Sequence, residues 1–349
     1  MNKLILKNQT IYFKSSKKMK EIGDSTIDVI ITSPPYNRKK SYSGDFGGIY
    51  NDNMSDKQYY SFLKEVWSEC HRVAKDSSVF FLNIGDSAVD QGKSERVVKI
   101  AESVGWIRIQ DIIWVKSFLG RGHYTPSGGN KRFNNIWEHI YLLVKEKGQY
   151  ELDTKAVGIP YADKSNIGRY GDTDLRDPGN VWLIPYQKTT SSSVKKGHEA
   201  PFPIGLPYKC IKCVPNTEKV LDPFCGTGST LAACLNLGVR GFGYEKYPRR
   251  KVIKQRLKEG LKFKPYPIIL IPHYELTIKL LCEYIDESNY YPSKPDSKKG
   301  LRESEILLEV IENLKINNSF TKKLHRIINK VNKNKDRSSI LNYINKNNK

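Results

Sequence analysis

Lys219-Val220-Leu221-Asp222-Pro223-Phe224-Cys225-Gly226-Thr227-Gly228-Ser229-Thr230 reads as a strand, a glycine turn and the start of a helix that stops at Gly238. Arg240-Gly241-Phe242-Gly243-Tyr244 supplies the next short strand, with Glu245 just past its end and a second helix opening at Pro248. Strand, G-x-G turn, helix, strand and then a carboxylate is the layout that binds an adenosine. The glycines let the backbone approach the ligand, and the acidic group takes the ribose hydroxyls. Glu245 lies 19 residues after Gly226, close to the ~20 of such sites. The third glycine of a dinucleotide fingerprint is missing, since Leu231 follows Thr230, and no Walker lysine accompanies the turn. An adenosine attached to a small zwitterion, S-adenosylmethionine, fits better than a dinucleotide or a triphosphate.

Nearly two hundred residues upstream stands a second constellation, Thr32-Ser33-Pro34-Pro35-Tyr36-Asn37. It follows the β-branched run Thr26-Ile27-Asp28-Val29-Ile30-Ile31, which reads as a buried strand. Two prolines end that strand, because neither has an N–H to give to a ladder, and they hold Ser33 extended. The result is a stiff shelf at the carboxyl end of a strand, where open α/β sheets bind ligands. A flat base with an exocyclic amino group suits it: the amino hydrogens donate to Ser33 Oγ and the Pro34 carbonyl while Tyr36 stacks on the base face. Taken alone, a plain Pro-Pro turn with Tyr36 packed inside explains the residues equally well.

The remainder of the chain alternates strands and helices. Residues 4–31 supply one or two strands before the shelf, and residues 38–54 lack periodicity and read as a loop beside it. Ser55-Asp56-Lys57-Gln58 is a capping box that opens a helix with Phe62, Leu63, Val66, Trp67, Cys70, Val73 and Ala74 at helical spacing. Ser78–Ile84 is a buried strand, Ser94–Val104 a helix stopped by Gly105, and Trp106–Lys116 and Ile136–Lys145 are further strands. This alternation predicts right-handed crossovers and a mainly parallel sheet. Residues 117–135 are rich in Gly, Pro and basic side chains, and Arg121, Lys131 and Arg132 would reach phosphates; His123 has no evident partner as a base.

Composition bounds the partners. Lys and Arg number 58 against 37 Asp and Glu, a formal net charge of +21, with 11% aromatic residues interleaved. That excess favours a polyanion, and the aromatics favour nucleic acid over a membrane surface. No apolar run approaches the ~18 residues that cross a bilayer, and Met1–Lys14 lacks the apolar core of a signal peptide, so the expectation is a cytoplasmic protein without membrane contact. The six cysteines are scattered, as reduced and buried thiols are. Cys210 and Cys213 have CxxC spacing, but no second pair completes a zinc site, so two packed cysteines one helical turn apart are expected and no metal.

Together, TSPPYN and DPFCGTGST closely resemble the signature pair of the DNA amino-methyltransferases, and the order, with the catalytic motif about 190 positions ahead, resembles the β class. The resemblance runs from Ile22 to Leu261. FLNIGDS, DIIWVKS, IWEHIYLLVK and GNVWLIP look like lesser blocks of the family, and His198–Pro203 with Leu206-Pro207 looks like the block that helps seat the cofactor. The resemblance implies an α/β fold with a mainly parallel, doubly wound methyltransferase sheet. It implies a catalytic half at 1–147, an inserted target-recognition segment at 148–197 and a cofactor-binding half at 198–272; beyond the resemblance, Leu301–Leu314 and Phe320–Val331 have amphipathic helical spacing, and 273–349 reads as a basic helical appendage. Ser33, Pro34, Pro35 and Tyr36 are then the catalytic shelf, with Asn37 a weaker candidate. Asp222, Phe224, Gly226, Gly228, Thr230 and Glu245, with Phe202 and Pro203, would hold S-adenosylmethionine. Arg38, Lys39, Lys40, Arg121, Lys131 and Arg132 would face double-stranded DNA. SPPY usually accompanies cytosine N4 methylation within the family, though a hydroxyl accepts from adenine N6 as readily. An adenine enzyme and a non-catalytic DNA-binding subunit stay open as alternatives, as do a cognate restriction endonuclease and a second copy of the chain as partners.

Overall fold

A computed structural model describes residues 2–37, 40–43, 49–86, 90–116, 133, 135–161, 163–169, 171–184 and 202–264, all within one unit spanning Met1–Ile269. Arg38, Lys39, Arg121, His123, Lys131, Arg132, the block before Phe202 and the whole appendage at 273–349 lie outside the described residues; of Lys40 only the backbone is described.

The strands, in chain order, are β1 (Lys3–Leu6), β2 (Gln9–Tyr12), β3 (Ile27–Thr32), β4 (Lys40–Ser43), β5 (Ile49–Asp52), β6 (Ala74–Ile84), β7 (Ile107–Val115), β8 (Trp137–Val144), β9 (Val181–Leu183), β10 (Lys219–Asp222) and β11 (Arg240–Tyr244). The helices are α1 (Asp56–Val73), α2 (Lys93–Glu102), α3 (Gly205–Lys212), α4 (Ser229–Leu237) and α5 (Arg250–Lys262). Nine strands form one sheet in the order β1-β2-β11-β10-β3-β6-β8-β7-β9. All neighbours pair in parallel except β1 with β2 and β8 with β6 and β7.

The continuous apolar run at Val29-Ile30-Ile31 has a simple cause. Val29 and Ile31 face a core shared with Leu206, Leu231, Ala232 and Leu257, whereas Ile30 faces one built on Trp67, Phe80 and Val97. A strand covered on both sides has no polar face to alternate with. α3, α4 and α5 therefore cover one side of the sheet and α1 and α2 the other, the doubly wound arrangement. The capping box at Ser55 is formed, with Gln58 N–H donating to Ser55 Oγ and Ser55 N–H to Gln58 Oε1. α4 is buried nearly all round, as its sequence STLAACLNL requires, and Gly238 ends it in the left-handed region.

The sheet is mainly parallel, as expected, with β8 antiparallel to both β6 and β7. Three expectations need correction. Residues 38–54 include an antiparallel hairpin, β4 with β5, with Tyr42 opposite Tyr50; four-residue strands are too short to show a period. Val181–Leu183, inside the stretch 148–197, is the outermost strand of the main sheet, parallel to β7. α5 begins at Arg250 rather than Pro248 and runs to Lys262. The paired cysteines do sit one turn apart, Cys210 inside α3 and Cys213 at its carboxyl cap, both buried; burial lifts the Cys213 thiol to about 12.

Candidate active site

The proline shelf and the glycine turn leave the same sheet edge from adjacent strands. β3 and β10 lie side by side in parallel, with Val29 opposite Val220 and Ile30 opposite Leu221, so Asp222 stands level with Ile31 and Thr32 lies one residue beyond it. A buried carboxylate joins them. Thr32 Oγ1 donates to Asp222 Oδ1 at 2.6 Å, Thr230 Oγ1 donates to Asp222 Oδ2 at 2.6 Å, and Phe224 N–H donates to Oδ1 at 3.0 Å. Asp222 and Thr230, two of the residues expected to line a ligand, therefore spend their polar atoms on tying the turn to the shelf.

Burial pushes the Asp222 carboxyl up to about 6, against the pull of those three donors. The sign of its effect on stability follows. Between the unfolded value near 3.8 and about 6, the folded protein binds more protons than the unfolded chain, so raising the pH favours unfolding. Asp222→Asn removes this titration. Wild-type stability, measured relative to that variant by denaturant unfolding, should be highest near pH 4 and fall by about 1.4 kcal/mol per unit up to about pH 6. A flat difference across that window would mean that the carboxylate stays ionised throughout.

Gly226 and Gly228 both adopt positive φ, +52° and +90°, which explains why the turn takes glycine. Among the described residues, a Cβ built on Gly226 would meet nothing nearer than the Phe224 carbonyl at 3.8 Å, an ordinary contact that leaves room beside the turn. Thr227 Oγ1, between the two glycines, is buried without a hydrogen-bond partner among the described residues. Glu245 arrives at the end of β11 and takes Gly226 N–H at 2.9 Å and Tyr247 N–H at 3.0 Å; burial raises its carboxyl while Arg249 pulls it down. Phe202 and Pro203 are brought to the same turn. Ser229 Oγ donates to the Phe202 carbonyl at 2.8 Å, and Arg256 of α5 donates to Ser229 Oγ through Nε and through its terminal nitrogen. Phe224 turns its ring to Phe62 and Trp67.

At the shelf, Pro34 is buried and Ser33, Pro35, Tyr36 and Asn37 are half-buried. Tyr59 of α1 donates to the Pro35 carbonyl at 2.7 Å, and Lys93 at the start of α2 donates to the Tyr36 carbonyl at 2.9 Å. The Pro34 carbonyl accepts nothing from the described residues. Tyr36 Oη lies 3.3 Å from Ser33 Oγ, 3.3 Å from Gly85 N and 3.0 Å from Glu138 Oε2. Asn37 turns away, exchanging two hydrogen bonds with the backbone of Met54, and φ +49° suits an asparagine there.

Sequence reasoning did not find Glu138, Lys116, Thr32 or Lys93. Glu138 carried a signal, an acidic residue inside the apolar strand IWEHIYLLVK; the others gave none, because their partners are distant in sequence.

The order of two motifs on one edge, with a carboxylate after the second strand, is now explicit. Residues 27–255 match the family model described as DNA methylase, the N6/N4 methyltransferases. The chain belongs to the DNA methylase family. The methylase is 30% identical over 246 residues to the type II methyltransferase M.BglII of Bacillus subtilis, covering 64% of this chain and about three fifths, 61%, of that relative. It is 25% identical to M.MjaI of Methanocaldococcus jannaschii over 74% of this chain and 94% of the relative. A solved structure, the PvuII DNA methyltransferase (cytosine-N4-specific), superposes with a TM-score of 0.52 at 17% identity, over 74% of this chain and 94% of that one, a likeness of fold. S-adenosylmethionine is the family's cofactor. Among the described residues, the room beside Gly226, the Thr227 hydroxyl without a partner and the half-buried Glu245 carboxylate fit a polar, adenosine-bearing guest.

Proposed function

We propose that this methylase transfers a methyl group from S-adenosylmethionine to the N4 amino nitrogen of a cytosine flipped out of duplex DNA, as the modifying half of a restriction–modification pair. The observation that carries the reading is the adjacency of shelf and glycine turn, fastened by Thr32, Asp222 and Thr230. Cytosine is favoured over adenine by Ser33-Pro34-Pro35-Tyr36. When bound, the cofactor supplies an electrophilic methyl group.

The chain's own residues supply position and polarity. An exocyclic nitrogen is a poor nucleophile because its lone pair is conjugated into the ring. Ser33 Oγ and the Pro34 carbonyl accept its N–H groups and draw it toward tetrahedral geometry, which frees that pair. Tyr36 stacks on the extruded base and offsets part of its unstacking. Glu245 holds the ribose hydroxyls; Gly226, Gly228, Phe202 and Pro203 shape the pocket. Arg38, Lys39, Lys40, Arg121, Lys131 and Arg132 contact phosphates, the segment 148–197 contributes to target recognition, and the basic region 273–349, with ten Lys/Arg against one acidic residue from Lys315 onward, clamps the duplex.

Transfer of labelled methyl groups to unmodified DNA, followed by nucleoside mass analysis, tests this: N4-methylcytosine is expected, N6-methyladenine would change the base, and no product would remove the activity. Glu245→Gln should weaken cofactor affinity by calorimetry at least about tenfold, the weight of one charge-assisted hydrogen bond, with DNA affinity unchanged.

A further inference from the structure

A nitrogen that gains a methyl group must lose a proton, and the shelf's own acceptors are poor bases. Ser33 offers a hydroxyl and Pro34 an amide carbonyl, neither of which keeps an additional proton near neutral pH. A carboxylate stands two hydrogen bonds away from Ser33 Oγ. Ser33 Oγ donates to Tyr36 Oη at 3.3 Å, and Tyr36 Oη donates to Glu138 Oε2 at 3.0 Å. Both donors point the same way, from the shelf inward. Glu138 comes from β8, the reversed strand, and its side chain is only 12% exposed. Lys116, at the end of β7, pairs with the other carboxylate oxygen, Oε1, at 2.5 Å, and Asn83 of β6 donates to Oε2 at 3.2 Å. Gly85 leaves room for it: a Cβ there would lie 2.7 Å from Glu138 Cγ.

We propose that Glu138 is the terminal proton acceptor of the reaction, reached through Ser33 and Tyr36. This rests on the reading that Ser33 receives the target amino group. As the carbon–nitrogen bond forms and the carbon–sulfur bond breaks, the nitrogen's proton passes to Ser33 Oγ, the Ser33 proton to Tyr36 Oη, and the Tyr36 proton to Glu138 Oε2. The base leaves neutral, the sulfonium's positive charge ends in the proton that neutralises the Glu138 carboxylate, and Lys116 is left without its anionic partner. Glu138 acts through Tyr36 and is a positioning residue in that sense. The reversed direction of β8 gains a use, because it brings Glu138 to the edge where β3 ends.

The test uses the full chain with S-adenosylmethionine and unmodified DNA under single-turnover conditions. Glu138→Gln, which keeps the shape but cannot accept a proton, and Tyr36→Phe, which keeps the ring but cuts the chain, should each slow transfer at least about tenfold. The double variant should be no slower than the slower single, since both remove one path. Cofactor affinity by calorimetry should stay within about twofold of wild type in all three. Wild-type transfer should slow in deuterium oxide with a curved proton inventory, and Tyr36→Phe should lose that curvature. Glu138→Gln transferring at the wild-type rate, losses that multiply in the double variant, or a wild type indifferent to deuterium oxide would each overturn the path while leaving the methyltransferase reading intact. A wild type that transfers no methyl group at all would remove both.

Discussion

Asp222→Ala should lower the melting temperature by about 10 °C and abolish measurable cofactor binding, the largest loss expected from any single change at this site. Alanine leaves Thr32 Oγ1, Thr230 Oγ1 and Phe224 N–H without their acceptor in a region closed to water. Each orphaned donor costs about 1–3 kcal/mol, so the sum is roughly 3–5 kcal/mol after partial relaxation. At 2–4 °C per kcal/mol for a domain of this size, the shift is on the order of 10 °C. Cofactor binding fails for a separate reason: without the clasp, the glycine turn is no longer held level with the end of β3. Thermal unfolding and calorimetry on the same sample separate the two. A variant that melts normally, or one that melts early yet binds cofactor with wild-type affinity, would show that Asp222 does not join the two motifs.

Tyr36→Ala should have the opposite signature, a loss of methyl transfer of about 100-fold or more with stability and cofactor affinity nearly unchanged. The ring is half-buried, so its removal opens little core. It takes away the stacking surface, roughly 1–3 kcal/mol for a base on an aromatic ring, and the placement of the acceptor nitrogen, for which misplacement by an ångström costs on the order of 100-fold. Single-turnover transfer and calorimetry check it. Equal losses of transfer and of cofactor binding would contradict the role given to Tyr36.

Much of this architecture could be read from local chemistry. Ser55 and Gln58 formed the cap they implied, Gly238 ended its helix, and the apolar run before Ser33 was the two-faced strand its composition required. What escaped reading was set at long range. Nothing near Asp222 says that its oxygens belong to Thr32, 190 residues away, rather than to a ligand. The direction of β8 is set by its pairing with β6 and β7, which the local pattern of the strand does not encode. Glu138 sits in a strand legible from its apolar run, but its value comes from Tyr36, 102 residues earlier. Sequence patterns name the elements; the pairing of polar atoms across the sheet decides which of the named residues meet.

The strand order carries a consequence for biosynthesis. β2 and β3 are neighbours in sequence, yet β11 and β10 separate them in the sheet. A nascent chain emerging from the ribosome must therefore expose the edges of both early strands until about Tyr244 has been translated, when the late pair inserts as a wedge. Ribosome-bound chains halted before that point should engage chaperones and resist proteases poorly, whereas chains released beyond α5 should not.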